Sequence, residues 1–425
     1  MELRIQNGMI EKANNSINDP RSTPNSKLQT PNSTIQTPEG RQTWAQVDSD
    51  ALGNNYRALD SLLSRSRSST IRNPRIIPVI KAHAYGHGMV PVAHALADAG
   101  ATVFAVGVVE EGTILRQAGI SQEILVLGTT WHGQEADALR HQLTLAVDAP
   151  ESVHRLESAA TDGAANIPVH IKVDTGMGRL GVCWDKMEPL LHSLRLANRV
   201  SLAGTFSHLS SADELDPAFT QEQIRRFECA LDAIRESNLD PGEIHFANSS
   251  GLLFHERLRQ WSARTGIALY GYSPDSQRSP VELSPVLSLK TRIAFIRILE
   301  VGEPLGYNRK FTASRKTRIA VLPLGYADGF SRRLSGCGRV IVQDRWAAVV
   351  GAVSMDMISI DITNLPDVKI GDEAIILGSS AHCSISAADW AELLQTIPYE
   401  VLCGIAPRVP RIYIKKSDTL SSRSR

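Results

Sequence analysis

Five cysteines in 425 residues, odd in number and with no CxxC spacing, supply no disulfide framework. They read as reduced, mostly structural thiols of a cytoplasmic protein. No apolar run approaches the roughly 20 residues needed to cross a bilayer. Forty-five basic side chains balance 45 acidic ones, which removes any electrostatic case for a nucleic acid or an anionic membrane as partner. Residues 1–42 lack an apolar core ahead of a small-residue cleavage site, so they make a poor secretory signal. They are rich in Asn, Ser, Thr and Pro without sustained periodicity and read as a disordered extension. Residues 418–425 read as a tail.

What is present is enough apolar sequence, 42% of the chain, for a large core and two domains. Over residues 43–284 short apolar runs alternate with amphipathic stretches. The runs are 76–80, 103–108, 124–127, 144–147, 169–173, 202–206, 244–246 and 266–270. Residues 90–99, stopped by Gly100, and 221–236, with Ile224, Phe227, Leu231 and Ile234 on one face, carry helical spacing. Eight strand–helix repeats predict a (β/α)₈ TIM barrel, in which the C-terminal ends of the strands carry the chemistry. From 285 to 417 the pattern turns to β-type runs (286–299, 318–322, 339–342, 347–353, 358–362, 373–377) with one evident helix, 385–394. This predicts a C-terminal, mainly β domain.

Lys81 ends the first apolar run and opens the glycine-punctuated stretch Ala82-His83-Ala84-Tyr85-Gly86-His87-Gly88. One reading is a strand-end lysine that snorkels to solvent. The other is an amine kept reactive by partial desolvation, able to hold a carbonyl cofactor as a Schiff base. Other polar groups follow later strands: Lys172 and the loop to Gly181 with Arg179, Ser207-His208, Asn248-Ser249, and Arg264 at the start of the eighth run. Hydroxyls and glycine amides after the late strands suit a phosphate. Singly, each has an ordinary structural role; together at one barrel mouth they make a site. His83 and His87 are four apart, but the intervening Gly86 and the lack of an HExxH helix speak against a metal.

These segments resemble the pyridoxal-phosphate-dependent alanine racemases, in order, over nearly all of residues 44–413. The segments are 79–88 (VIKAHAYGHG), 172–181 (KVDTGMGRLG), 246–249 (FANS), 264–271 (RTGIALYG), 323–329 (PLGYADG), 354–356 (SMD) and 408–411 (RVPR). The resemblance implies that Lys81 carries pyridoxal 5'-phosphate and serves as one acid/base group. Tyr307, from a partner subunit, is then the other, so the active site belongs to a homodimer. Two bases on opposite faces of Cα are the direct geometric route to racemisation. Arg264 would face the ring nitrogen and oppose its protonation. Tyr85, Ser249, Gly266 and Ile267 would bind the phosphate, and His208 would pack beside the ring. Arg179 and Met355 would bind substrate, with Lys172, often carbamylated in the family, holding Arg179. Asn248, Tyr326 and Asp356 fall in the same segments as supporting residues.

The implied activity is interconversion of L- and D-alanine in the cytoplasm, supplying D-alanine for peptidoglycan. The sequence departs from the family pattern at His83 and Phe311, and at the substrate entrance. There Pro407 replaces a tyrosine and Ala352 an arginine, while Arg332 and Asp213 remain. The departures suggest a wider entrance and a broader range of small amino acids, alanine and serine. An amino-acid decarboxylase of the same architecture is the less favoured alternative: its glycine-rich phosphate loop and cysteine–aspartate motif are not evident.

Overall fold

The computed structural model describes residues 40–65, 74–160 and 166–415. The expected extension therefore lies outside the described residues up to position 39, and so does the tail. At 40–42 the chain is already anchored. Arg41 pairs with Asp328, and the Gln42 carbonyl accepts from Arg292 N at 3.0 Å and Thr291 Oγ1 at 3.0 Å.

Eight parallel strands run in the order Ile76–Pro78, Ser262–Thr265, Glu243–Ala247, Val200–Phe206, Ile167–Asp174, Thr144–Val147, Glu123–Val126 and Val103–Val106. The ring closes where Val79 bridges Ala105, with Ile80 N donating to the Ala105 carbonyl at 2.9 Å. Most residues of these strands are apolar and buried, as parallel strands between a packed interior and a coat of helices require, with polar exceptions in Ile167–Asp174 and Ser262–Thr265. The helix Ala218–Glu236 shows how the coat attaches. Its 3.6-residue period turns Ile224, Phe227, Leu231 and Ile234 inward, and Phe227 meets Phe246 and Trp261 at ring distances of 4.6 and 5.4 Å. Each such side chain contributes roughly 1.5–3 kcal/mol of burial.

Two expectations about the range read as barrel need correction. The eighth strand is Ser262–Thr265, not 266–270. Arg264 thus lies inside the strand, and Gly266 to Tyr270 form the turns that follow it. The period-two pattern cannot separate a short strand from an apolar turn packed beneath it. Secondly, Thr43–Asp48, which falls at the front of the segment read as barrel, joins the C-terminal sheet. It runs antiparallel to Leu287–Arg292 and parallel to Arg411–Ile414. No local pattern announces a partner some 370 residues away in sequence.

The rest of that sheet continues through Glu373–Ser379, Arg339–Val342, Arg345–Val350, Ile358–Asp361, Thr317–Leu322 and Phe295–Leu299. The run expected over 286–299 breaks into two strands, and a second helix, Pro398–Cys403, follows Ala387–Leu394. The helix Ser49–Ser64, capped by Asp48 accepting from Ala51 N at 2.9 Å, leads from the sheet back to the barrel. Its Asn55 donates to the carbonyls of Leu269 and Ser284 and accepts from Ser284 N, fastening the end of the barrel to the connection beyond it. All five cysteines are free thiols, and Cys183, Cys229, Cys337 and Cys403 are exposed.

Candidate active site

Lys81 does not continue its strand. It opens the turn Lys81–Tyr85, in which Ala82, His83, Ala84 and Tyr85 all have φ between 51° and 55°. A left-handed turn of L-residues costs roughly 1–2 kcal/mol per residue and survives only where its surroundings over-determine it. Here they do. Glu111 accepts from Ala82 N at 2.6 Å, and the His87 imidazole donates from Nδ1 to the carbonyls of Ala84 and Tyr85 at 3.0 and 2.9 Å. Arg411 Nε donates to the Gly86 carbonyl at 3.0 Å, and the Tyr413 hydroxyl donates to the His87 carbonyl at 3.0 Å. Burial holds His87 neutral, its pKa down at about 4. A Cβ on Gly86 (φ +81°) would strike the Leu402 carbonyl at 2.2 Å, so glycine alone lets the helix Pro398–Cys403 pack on this turn.

Lys81 stands at the exposed start of that turn, beyond the C-terminal end of the first barrel strand. Its pKa is lowered, first by desolvation and then by the charges of Arg179 and Arg264, against which Glu111 and Cys403 act.

Arg264 is the most constrained cation in the site. Its Nη1 donates to the His245 carbonyl at 2.7 Å and to His245 Nδ1 at 3.0 Å. Nη2 donates to the Ser207 carbonyl at 2.6 Å and to His208 Nδ1 at 3.1 Å. Every one of these acceptors is uncharged. Burial brings its pKa down to about 9, which leaves it protonated at neutral pH. Because guanidinium only donates, His245 Nδ1 and His208 Nδ1 must be bare and both protons sit on Nε2. His245 Nε2 then donates to His170 Nδ1, 2.7 Å away. The His170 pKa is pushed down to about 4 by burial, and those of His208 and His245 also fall by burial and the nearby Arg264. A chain of neutral imidazoles thus fixes the guanidinium. The Phe206 ring stacks on His245 at 4.8 Å, with Arg264 at 5.1 Å and Lys172 Nζ at 5.3 Å from its centre.

Lys172 is buried, donates to the Leu127 carbonyl at 3.3 Å, and has its pKa pulled down to about 8 by desolvation, Arg264 and Arg179. Arg179 itself is exposed in the loop after strand five. Asp174 accepts from the amides of Gly176 and Gly178, fixing the start of that loop.

After strands seven and eight, Asn248 caps the helix Ser249–Phe254 by accepting from Gly251 N at 2.8 Å. Ser249 Oγ accepts from Gly266 N at 3.1 Å and Ala268 N at 3.3 Å, and Ile267 is buried behind them. A Cβ on Gly266 would lie 2.4 Å from the Tyr85 hydroxyl. Glycine there lets a phenol, a serine hydroxyl and two amides converge, a donor set suited to a phosphate. The buried, carboxylate-free Arg264 beside it and the desolvated Lys81 fit the remainder of a pyridoxal phosphate.

Thus Lys81, Tyr85, Lys172, Arg179, His208, Asn248, Ser249, Arg264, Gly266 and Ile267 meet at one mouth of the barrel. Tyr307 and Met355 stand apart. Both are on the β domain, 65% and 52% exposed, and among the described residues neither makes a hydrogen bond or ring contact with that cluster. The Met355 loop is held from below. Gly325 packs on the carbonyls of Ser354 and Met355, Tyr326 N donates to the Ser354 carbonyl, and Asp356 accepts from Arg408 at 2.8 Å. Arg408 also forks onto the buried Asp328 at 2.7 and 3.0 Å, and Asp328 accepts from Gly325 N. Burial, and then the charge of Asp213, push Tyr399 up to about 12. Pro407 is exposed and Ala352 half-buried.

Sequence reasoning missed Glu111, His170, His245, Asp328 and Arg408. Asp328 and Arg408 lie in the segments PLGYADG and RVPR quoted above without being given a role, and His170 sits two residues before Lys172 on one strand, so the two share a face.

The family model described as alanine racemase, N-terminal domain, matches residues 47–274, and that described as alanine racemase, C-terminal domain, matches 286–413. The chain is 38% identical to the alanine racemase of Halothermothrix orenii over 88% of its own length and 98% of the relative's. It is 39% identical to that of Symbiobacterium thermophilum over 88% and 97%. Among solved structures, the alanine racemase from Bacillus anthracis with bound L-Ala-P superposes with a TM-score of 0.81 at 35% identity, covering 89% of this chain and 96% of that one. The Bartonella henselae alanine racemase with covalently bound pyridoxal phosphate does so at 0.77 and 27% identity, covering 88% and 99%.

Proposed function

The chain belongs to the alanine racemase family, and from that premise we propose that Lys81 and Tyr307 of the partner subunit exchange the Cα proton of alanine from opposite faces. The enzyme interconverts L- and D-alanine and uses pyridoxal phosphate. Bound at this mouth, the cofactor supplies an electron-accepting ring that spreads the charge left at Cα. This chain's residues do the rest. Lys81 Nζ holds the cofactor and removes or returns the proton on one face, for which a lowered amine pKa is the needed property. Tyr307 Oη serves the other face. Arg264, charged at neutral pH and only a donor, would face the ring nitrogen and oppose its protonation, which would favour return of the proton to Cα. Ser249, Tyr85 and the amides at Gly266 and Ile267 would hold the phosphate; Arg179, steadied by Lys172 once that amine carries a carbamate, and the Met355 amide would hold the substrate carboxylate.

One observation carries this reading: Lys81 and a buried arginine with only neutral partners converge at a single barrel mouth. The solitary exposure of Tyr307 and Met355 supports the shared site, since each needs a second copy to be useful. The β domain also exposes Phe295, Ile298, Val301, Trp346 and Met357, and the barrel exposes Trp131, Leu215 and Phe219, apolar surface for a homodimer to cover. A cytoplasmic enzyme supplying D-alanine for peptidoglycan is the physiological reading we favour. The test is solvent-deuterium exchange at Cα during racemisation. Lys81→Ala should lose turnover in both directions, and Tyr307→Phe should lose it more steeply in one. A Tyr307→Phe enzyme with full activity both ways ends the two-base proposal.

A further inference from the structure

We propose that Glu111 is a positioning residue for Lys81, a two-pronged carboxylate that fixes both walls of the lysine's channel. The inference rests on the reading of Lys81 as the cofactor lysine and extends it to the residue that aims it. Glu111 lies in the first turn of the helix Val109–Gln117, which follows the second barrel strand, Val103–Val106. Oε1 accepts from Ala82 N at 2.6 Å, the first amide after Lys81, and Oε2 accepts from Gly107 N at 2.7 Å. Both bonds are short, as bonds to an ionised acceptor are. Gly107 in turn lies against the lysine: a Cβ built on it would contact Lys81 Cβ at 3.5 Å and Cδ at 3.6 Å. One side chain therefore pins the backbone that carries the amine and the backbone along which its methylenes run.

The geometry explains why a carboxylate is required. The turn that begins at Ala82 is left-handed and strained; Ala84 N and Gly86 N close it onto the carbonyls of Ile80 and Ala82, whereas Ala82 N donates outside the turn. The carbonyl side of the turn is held by His87, Arg411 and Tyr413. The amide that adjoins Lys81 is held by Glu111. Two separate N–H donors need two acceptor oxygens, which Glu has and Gln lacks. Glu111 is also an anion among the charges that bear on the amine. Arg179 and Arg264 act with burial to lower the Lys81 pKa, Glu111 and Cys403 act to raise it, Lys172 and His208 lie near it, and His83, Tyr85 and Tyr270 feel the charge of Glu111.

The experiment compares holoenzyme of wild type, Glu111→Gln and Glu111→Ala. Readouts are kcat and KM for alanine, the pH titration of the bound cofactor's absorbance, and thermal stability. Borohydride reduction and peptide mapping then identify the lysine that holds the cofactor. The expected result is a kcat about tenfold lower in Glu111→Gln, and lower still in Glu111→Ala, at little-changed KM. The absorbance titration should move to lower pH in both variants, because an anion near the amine is gone. A merely structural Glu111 would lower the melting temperature and leave kcat and titration at wild-type values in the folded fraction, which overturns the proposal. If reduction labels a lysine other than Lys81 in wild type, the functional reading falls and this inference with it. If Lys81 is labelled and Glu111→Gln behaves as wild type, only this inference falls.

Discussion

Replacing Lys172 by methionine should make the protein more stable and less active at once. Lys172 is 8% exposed, its Nζ has one carbonyl partner at 3.3 Å, and no carboxylate pairs with it in the described structure. Desolvation, then Arg264 and Arg179, bring its pKa from 10.5 to about 8. Each tenfold change in proton affinity is worth about 1.4 kcal/mol, so keeping this amine charged in the folded state at pH 7 costs about 3 kcal/mol. The sign follows from linkage. The unfolded chain binds the proton more tightly, so the penalty is fully present below about pH 8 and fades as pH rises toward 10.5. Methionine keeps most of the stem volume and removes the charge. In CO₂-free buffer at pH 7, apo Lys172→Met should therefore resist urea by about 3 kcal/mol more than wild type, and the gap should close by pH 10.5.

With bicarbonate present activity should go the other way, with kcat/KM down roughly 10- to 100-fold as Arg179 loses the carbamate that supports it. An amine with a pKa near 8 is also half neutral at that pH and free to add CO₂. Labelled bicarbonate should then give a carbamate signal in the wild type by ¹³C NMR that Lys172→Met lacks, and it should narrow the stability gap. A variant that melts below wild type in CO₂-free buffer, or a gap unchanged at high pH, would refute the reasoning.

Gly266→Ala places a methyl 2.4 Å from the Tyr85 hydroxyl and should weaken pyridoxal phosphate binding about tenfold by absorbance titration, with little loss of melting temperature. His245→Leu strips Arg264 of the imidazole that accepts at 3.0 Å and strands His170, for a loss of about 1–3 kcal/mol in urea unfolding; an unchanged midpoint would deny the imidazole chain its role. Asp328→Asn leaves Arg408 and Arg41 short of charge beneath the Met355 loop and should raise KM for alanine more than it lowers kcat. With Pro407 and Ala352 at the entrance, serine should be racemised at a measurable fraction of the alanine kcat/KM. Strict alanine preference would sink the wide-entrance argument.

Much of the barrel was legible because each strand is a short apolar run between amphipathic stretches, and periodicity is a local property. The errors fell where locality fails. Ser262–Thr265 carries Ser, Arg and Thr in four residues and does not look buried, yet all four are, because the arginine finds carbonyls and imidazoles from two other strands. Gly266 to Tyr270 looks like a strand because its apolar residues sit beneath the phosphate donors. Thr43–Asp48 falls inside the range read as barrel until its register with residues 287–291 and 411–414 is known.

By itself the sequence determined the lysine and its glycine-rich stretch, the alternation that makes a barrel, the change to β structure near 285, and the order of segments that marks the family. Those are matters of residue type and spacing along the chain. Tertiary structure decided the handedness of the turn that carries Lys81, the carboxylate that braces it and the neutral partners of Arg264. It also decided the depressed pKa of Lys172 and the outward stance of Tyr307 and Met355. Each of these depends on which atoms from distant segments share a small volume. Hydrogen-bond geometry and desolvation act through space, and neither is written in the order of residues.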